Sequence, residues 1–207
     1  MSEPQTDRRL PRSFFRRDVT DVAIGLLGQR LVRMYRGKRL AGVIVETEAY
    51  LGVADRAAHT FNGRYTERNR AMWLDGGHAY VYFTYGMHHC LNIVARCEGD
   101  PVAVLLRALE PTEGLETMRR FRGQHARRET DLCSGPAKLC QALAIDRKLD
   151  GTDMTRSGTL FIERARGRAY AGAKIVTMRR IGVDYAGEWA GKPLRFYVKD
   201  NPHVSRR

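Results

Sequence analysis

Two acids and a phenol alternate in the run Val45-Glu46-Thr47-Glu48-Ala49-Tyr50-Leu51-Gly52. In an extended chain successive side chains point to opposite faces, so Ile44, Glu46, Glu48 and Tyr50 are expected on one face and Val43, Val45, Thr47 and Ala49 on the other. Carboxylates at the rim of an apolar core lose water, which raises their pKa toward the range a general base needs. The same run also reads as an edge strand whose acids meet some of the many arginines in salt bridges.

A second group of aromatic residues lies in AYVYFTYGMHH, residues 79–89. Tyr80 and Tyr82 share a strand face, whereas Tyr85 falls at a turn beside Gly86 and Met87. An exposed Tyr and Met are costly in water, so this tip either packs against the protein or serves as a wedge between stacked bases. His88 and His89 follow. As neighbours on a strand they face opposite ways, which suits phosphate contact or packing better than a shared metal ion.

The elements that must hold these groups are legible around them. Asp18 or Thr20 can cap a helix carrying Val22, Ala23, Leu26 and Leu27, ended by Gly28. Arg30 to Arg36 and Leu40 to Tyr50 read as strands joined by a glycine turn. Ala79 to Thr84 and His89 to Ala95 read as a second hairpin, and Val102 to Ala108 as a short apolar strand. EPTEGLETMRRFR, with acids first and bases last, fits a helix dipole. SGPAKLCQALAI predicts a helix with Ser134 as its cap and Pro136 in its first turn. Thr159 to Glu163 and KPLRFYV complete the strands. The pattern predicts a single α+β domain over residues 14–207: a curved, mainly antiparallel sheet with surrounding helices and a protruding hairpin. Residues 1–13, polar and basic, read as a flexible arm.

The 207 residues and an apolar fraction of 43% suffice for one real core. A formal net charge of +13 fits either a polyanionic partner or a solvated basic surface. Cys90, Cys97, Cys133 and Cys140 form no CxxC pair and are expected as reduced core thiols. No signal-like N-terminus or apolar run of membrane length is found, so a soluble protein without membrane contact is expected.

Taken in order, IVETEAYLG, AAH at 57–59, TERNRAMW, YVYFTYGM followed by CLN, LLRALEPTEGLETMR, LCSGPAKLCQAL and AGEWAGKPLRFYV resemble the alkyladenine (3-methyladenine, or N-methylpurine) DNA glycosylase family. The likeness runs from about Phe14 to Val204. It implies hydrolysis of the N-glycosidic bond of a damaged purine flipped out of double-stranded DNA, with no cofactor or metal; a monomer is the default expectation. The hairpin would lie at the DNA-binding face, and the protein would be cytoplasmic in a bacterium or nuclear in a eukaryote.

Residue by residue, the resemblance makes Glu48 the general base that activates water toward C1′ and leaves Glu46 structural. Arg107 matches an arginine near that water and the target phosphate, and Val183 a residue whose main chain helps hold the water. Tyr50, His59 and Tyr82 match residues enclosing the extruded base, and Asn92 the asparagine that penalises the amine of guanine. Tyr85 matches the side chain that fills the vacated place in the stack, assisted by Met87. No lysine stands at a matching nucleophile position, which implies an enzyme that leaves an abasic site uncut. Three rival readings are a binding module for bent or damaged DNA, a metal-dependent nuclease using Glu46, Glu48 and a histidine on Mg²⁺, and an RNA-modifying hydrolase.

Overall fold

The computed structural model describes residues 9–165 and 174–206. Its frame is one mainly antiparallel sheet: β1 (Arg30–Tyr35), β2 (Lys38–Tyr50), β3 (Ala79–Thr84), β4 (His88–Ala95), β5 (Val102–Glu113), β6 (Leu160–Glu163), β7 (Ile175–Met178) and β8 (Arg195–Val198). The order β3-β4-β5-β2-β1-β6 makes β2 and β5 central, and β8 joins β2 beyond the end of β1, with β7 outside it. The α-helices among the described residues are α1 (Arg12–Phe15), α2 (Val19–Leu26), α3 (Leu115–Arg122) and α4 (Pro136–Ala142).

Local chemistry accounts for most of these boundaries. Asp18 caps α2 by accepting a bond from the Thr20 amide at 2.9 Å. The β1–β2 turn needs two left-handed residues, and Arg36 and Gly37 supply them with φ of 47° and 74°. Helix α4 differs from expectation: its cap position is Gly135, while Ser134 bridges to Ala108 on β5. The strand pairing holds Ser134 one residue too early to cap. Strand β5 runs five residues past the expected Ala108, because β2 is long enough to pair with it as far as Glu113. Strand β7 carries mostly exposed residues and no clear alternation, and it was not expected.

Helices α2 and α4 cover one face of the sheet. The main core joins Val19, Val22, Ala23 and Leu26 of α2 and Leu139, Cys140 and Ala142 of α4 to Leu91 and Ile93 of β4 and Val102, Val104 and Leu106 of β5. Fully burying the Val, Leu and Ile side chains among them stabilises by about 1.5–3 kcal/mol each. Opposite them, Asn92, Val94, Ala103 and Leu105 turn to the other face by strand alternation, as do Tyr80 and Tyr82 on β3.

That alternation breaks in the middle of the sheet. Between the pairs Ile44–Leu109 and Glu46–Ala108, Val45 has no partner on β5; between Ala108 and Leu106, Arg107 has none on β2. Each extra residue is a β-bulge, and the two lie side by side. Leu40 and Ile44 therefore face the helical core before the bulge, whereas Ala49 faces it afterwards, and the Thr47 hydroxyl reaches the α2 carbonyl of Ala23 at 2.9 Å. Ile44 thus lies opposite Glu46, Glu48 and Tyr50, not beside them as simple alternation predicted.

Two further expectations change. Residues 1–8 lie outside the described chain, but the expected arm does not extend to residue 13. Leu10 is buried and its amide bonds the Ile162 carbonyl at 2.9 Å, while Arg12 reaches Asp153 at 2.5 Å. An apolar contact and an ion pair dock this segment onto the domain. Cys90, Cys133 and Cys140 are buried free thiols, as expected of core cysteines, but Cys97 is exposed on the turn after β4. Among the described residues no helix is long and apolar enough to cross a membrane.

The close approach of β2 and β5 beside the bulges rests on Gly42, where an added Cβ would meet the Glu110 carbonyl oxygen at 2.9 Å and Leu109 Cβ at 3.0 Å. Gly42→Ala is expected to lower unfolding stability by about 1–3 kcal/mol through this overpacking. Urea denaturation measures it, and an unchanged midpoint would contradict so tight a strand contact.

Candidate active site

The paired bulges gather charge beneath the uncovered face of the sheet. Glu46 and Glu48 are both fully buried, and the Arg107 guanidinium lies between them: Nε to Glu46 Oε1 at 3.1 Å and Nη1 to Glu48 Oε1 at 3.2 Å. Arg195 of β8 adds Nε to Glu46 Oε1 at 2.7 Å. Two carboxylates therefore meet two guanidiniums, which offsets the several kcal/mol that burying each ion costs.

Glu48 accepts two hydrogen bonds and faces one cation. The Ile181 amide donates to Oε1 at 2.8 Å and the Tyr50 hydroxyl to Oε2 at 3.0 Å, while the Arg107 guanidinium meets Oε1 as an ion pair. Burial raises the Glu48 pKa above the ordinary carboxylate range; Arg107, the Ile181 amide and Tyr50 pull it back, and Glu46 adds to the rise. A carboxylate offers about four acceptor positions, so one on Oε2 has no protein donor among these contacts. Burial also lowers the affinity of Arg107 for its proton, but Glu48 and then Glu46 outweigh it and keep the guanidinium charged.

Above this network opens a cleft of about 410 Å³, within the ~300–1,000 Å³ typical of small-molecule sites. Tyr50, His59, Tyr82, Asn92, Arg107, Val183 and Tyr85 all line it. Glu48 does not line the cleft directly; it lies behind Tyr50, Arg107 and Ile181, each of which does. Tyr82 and His59 meet edge to face with centroids 4.6 Å apart. His59 Nδ1 is 2.7 Å from the Tyr80 hydroxyl. Crowding by surrounding protein, then the charges of Arg68 and Arg64, hold the His59 pKa down to about 4, although part of the residue faces open solvent, so the ring is neutral at pH 7. Asn92 lies on the cleft floor and donates to the Tyr80 carbonyl at 3.2 Å.

Tyr85 and Met87 occupy the tip of the β3–β4 hairpin at 87% and 69% exposure, so the tip is not buried against the protein. Tyr85 has φ of 51° and Gly86 of 67°. Met87 does not line the cleft; it borders a groove on the other side of the hairpin with His88, His89, Arg33 and Arg36. A further hollow beside the cleft shares His59 and Tyr185 and carries Arg56, Arg64 and Arg68. Among the described residues no group of three or more His, Cys, Asp or Glu is gathered as a metal site. Oε1 of Glu46 and Oε1 of Glu48 both face the Arg107 guanidinium, whose charge opposes an added cation there.

Several structural partners were not evident from the sequence. Asp55 and Arg180 form a fully buried ion pair with bonds of 2.5 and 2.9 Å, and Asp55 also accepts from the amides of Leu51 and Ala57 at 3.0 and 2.9 Å. Arg180 further bonds the Ala49 carbonyl at 3.0 Å and covers the Tyr50 ring 4.7 Å from its centroid. It thereby fixes the segment whose next residue, Ile181, donates to Glu48. The Asp55–Ala57 spacing is an Asx-turn signal, but nothing in the sequence ties it to Arg180, 125 positions away.

Comparison with known proteins gives concordant results. A family model described as methylpurine-DNA glycosylase matches residues 13–202. A DNA-3-methyladenine glycosylase of Mus musculus is 47% identical over 205 residues, covering 95% of this chain and 61% of that protein. The chain thus spans about three-fifths of the length of that relative. The corresponding protein of Homo sapiens is 49% identical over 205 residues, covering 95% and 68%. A putative 3-methyladenine DNA glycosylase of Methanocella arvoryzae is 50% identical over 198 residues, covering 96% of each.

Removing the charge of Asp55 would strand the buried Arg180 cation. Asp55→Asn is expected to cost about 3–5 kcal/mol of stability. Urea unfolding would show it, and a loss below 1 kcal/mol would mean that the pair is not the anchor of the Arg180–Ile181 segment.

Proposed function

Since the chain belongs to the methylpurine-DNA glycosylase family, we propose that it is a DNA-repair hydrolase that removes alkylated or deaminated purines from duplex DNA and leaves an abasic site. The observation that carries this reading is a buried, partly unoccupied carboxylate, Glu48, placed directly behind an aromatic cleft of nucleoside size. C1′ of a stacked nucleotide is out of reach, so the nucleotide must leave the helix at a cost of a few kcal/mol. Tyr85, exposed at the hairpin tip beside the cleft, is suited to fill the gap, with Met87 behind it.

Within the cleft Tyr50 and Tyr82 offer faces to the extruded base, and neutral His59 can hydrogen-bond near the sugar-phosphate. Both tyrosines already have guanidiniums nearby, Arg180 at 4.7 Å and Arg68 at 5.5 Å from the ring centroids. The attraction for a cationic purine therefore sits toward the low end, about 0.5 kcal/mol. Selection of alkylated purines rests more on their weakened glycosidic bond. Asn92 on the floor faces the position where the exocyclic amine of guanine would be penalised.

The hydrolysis needs one water. Its oxygen forms a bond to C1′, the C1′–N bond breaks with its electron pair passing to the purine, and the water proton goes to the free position of Glu48 Oε2. A cationic 7-methylguanine departs as the neutral base. The Glu48 carboxylate also stabilises the oxocarbenium character of the transition state, and Arg107 keeps Glu48 ionised and aimed. Val183 and its neighbours Ile181 and Gly182 form the wall where the water would be held. Among the described residues that line the cleft there is no lysine to form an imine with C1′. Arg56, Arg64 and Arg68 in the adjoining hollow suit phosphates, which position a duplex without reading its sequence.

The test is single-turnover excision from duplexes carrying 7-methylguanine, hypoxanthine or ethenoadenine, with alkali to reveal abasic sites. Glu48→Gln is expected to reduce release by about 10²–10⁴-fold while retaining lesion binding. Binding by the wild type without release of any base would instead make the protein a damaged-DNA binding module. Release by Glu48→Gln at the wild-type rate would remove Glu48 from the mechanism.

A further inference from the structure

Glu46 is a carboxylate for which the proposed reaction has no direct use, yet it is fully buried beside the reacting centre. A buried carboxylate is expensive, and this one has partners from three separate elements. Oε1 accepts from Arg107 of β5 at 3.1 Å and Arg195 of β8 at 2.7 Å; Oε2 accepts from the backbone amide of Ser205 at 2.7 Å. Arg195 in turn donates Nη2 to the carbonyl of Arg206. The tail is itself anchored, since Asn201 Nδ2 donates to Glu110 Oε2 at 3.0 Å and Val204 packs with Val45 and Ala108, at and beside the two bulges.

We propose that Glu46 is a positioning residue for the excision reaction, and that the backbone of the segment from Asn201 to Arg206 holds it in place from outside the catalytic centre. The inference rests on the glycosylase reading above. Arg107 reaches Glu46 through Nε and Glu48 through Nη1, so Glu46 fixes one edge of the guanidinium and thereby aims the other. A 1 Å displacement of such a group costs a reaction far more than it costs binding. The tail acts through its backbone. Ser205 Oγ is buried without a hydrogen-bond partner, so the hydroxyl contributes nothing that its amide does not.

This separates a backbone role from a side-chain role. Ser205→Pro removes the N–H that Glu46 accepts, whereas Ser205→Ala keeps it. In single-turnover excision of 7-methylguanine, Ser205→Ala is expected at the wild-type rate and Ser205→Pro at least about tenfold slower, with lesion affinity changed less than about twofold. Equal rates for the two variants would overturn the role of the tail.

The pH profile gives a second readout that loss of packing would not produce. Around Glu48 stand Arg107, Tyr50, the Ile181 amide and Glu46, and around Glu46 stand Arg107, Arg195 and the Ser205 amide. The negative charge of Glu46 holds the Glu48 proton more tightly. Glu46→Gln removes it, so the acid limb of the rate profile is expected to move to lower pH. A profile that superimposes on the wild type would show Glu46 to be merely structural. If Ser205→Pro loses lesion binding as well, the Glu46→Gln profile decides the question. A wild type that releases no base at all would instead sink the glycosylase reading, and this proposal with it.

Discussion

Buried ionised carboxylates that share a strand face need a cation, and Arg107 of β5 is the one that lies between Glu46 and Glu48. Glu46 and Glu48 would each lose several kcal/mol of hydration with nothing in return. With Arg107 between them and Arg195 behind, two negative charges face two positive ones, and each guanidinium also meets directed acceptors. The requirement reaches into the backbone. In regular alternation Leu106 and Ala108 would share a face opposite Arg107, and Ile44 would share the face of Glu46. The extra residues Val45 and Arg107 shift both strands so that Ala49 and Thr47 go to the helices and the acids stay with the arginine. The bulges are thus the structural expression of a charge constraint, and they lie against the core packed under α2 and α4.

Much of this site was legible in sequence because its signals are local. The alternation through Glu46, Glu48 and Tyr50, and that through Tyr80 and Tyr82, each place their side chains on one face, as observed. The hairpin tip at Tyr85-Gly86-Met87 follows from turn chemistry alone. What failed depends on pairing. A bulge is decided by register against β5, so local alternation puts Ile44 on the wrong face, and the bridge from Ser134 to Ala108 is invisible locally, so Ser134 reads as a cap. Asp55 with Arg180, and Glu46 with Ser205, join residues more than a hundred positions apart. The signal is an ordinary arginine or a backbone amide, which no spacing rule distinguishes.

The surface extends the same logic outward. A net charge of +13 left a polyanionic partner and a plain solvated surface equally open. Arg56, Arg64 and Arg68 gather next to the cleft, and Arg33 and Arg36 lie beyond the hairpin tip, so some of the excess charge flanks the place where a nucleic acid would enter. Family membership and this distribution favour the polyanion. The exposed Tyr85 and Met87 then stand as apolar groups between two basic hollows, an arrangement suited to a duplex opened at one nucleotide.

The central claim is that burial raises the proton affinity of Glu48 while Arg107 holds it within the range of a useful base. The most direct test is to titrate the Glu48 side-chain carboxyl by ¹³C NMR, assigned by its loss in Glu48→Gln, in the wild type and in Arg107→Met. The account predicts a wild-type midpoint above the about 4.3 of a free glutamate, moving higher still when the guanidinium is removed. A wild-type midpoint at or below the free value, or one that Arg107→Met leaves in place, would contradict it.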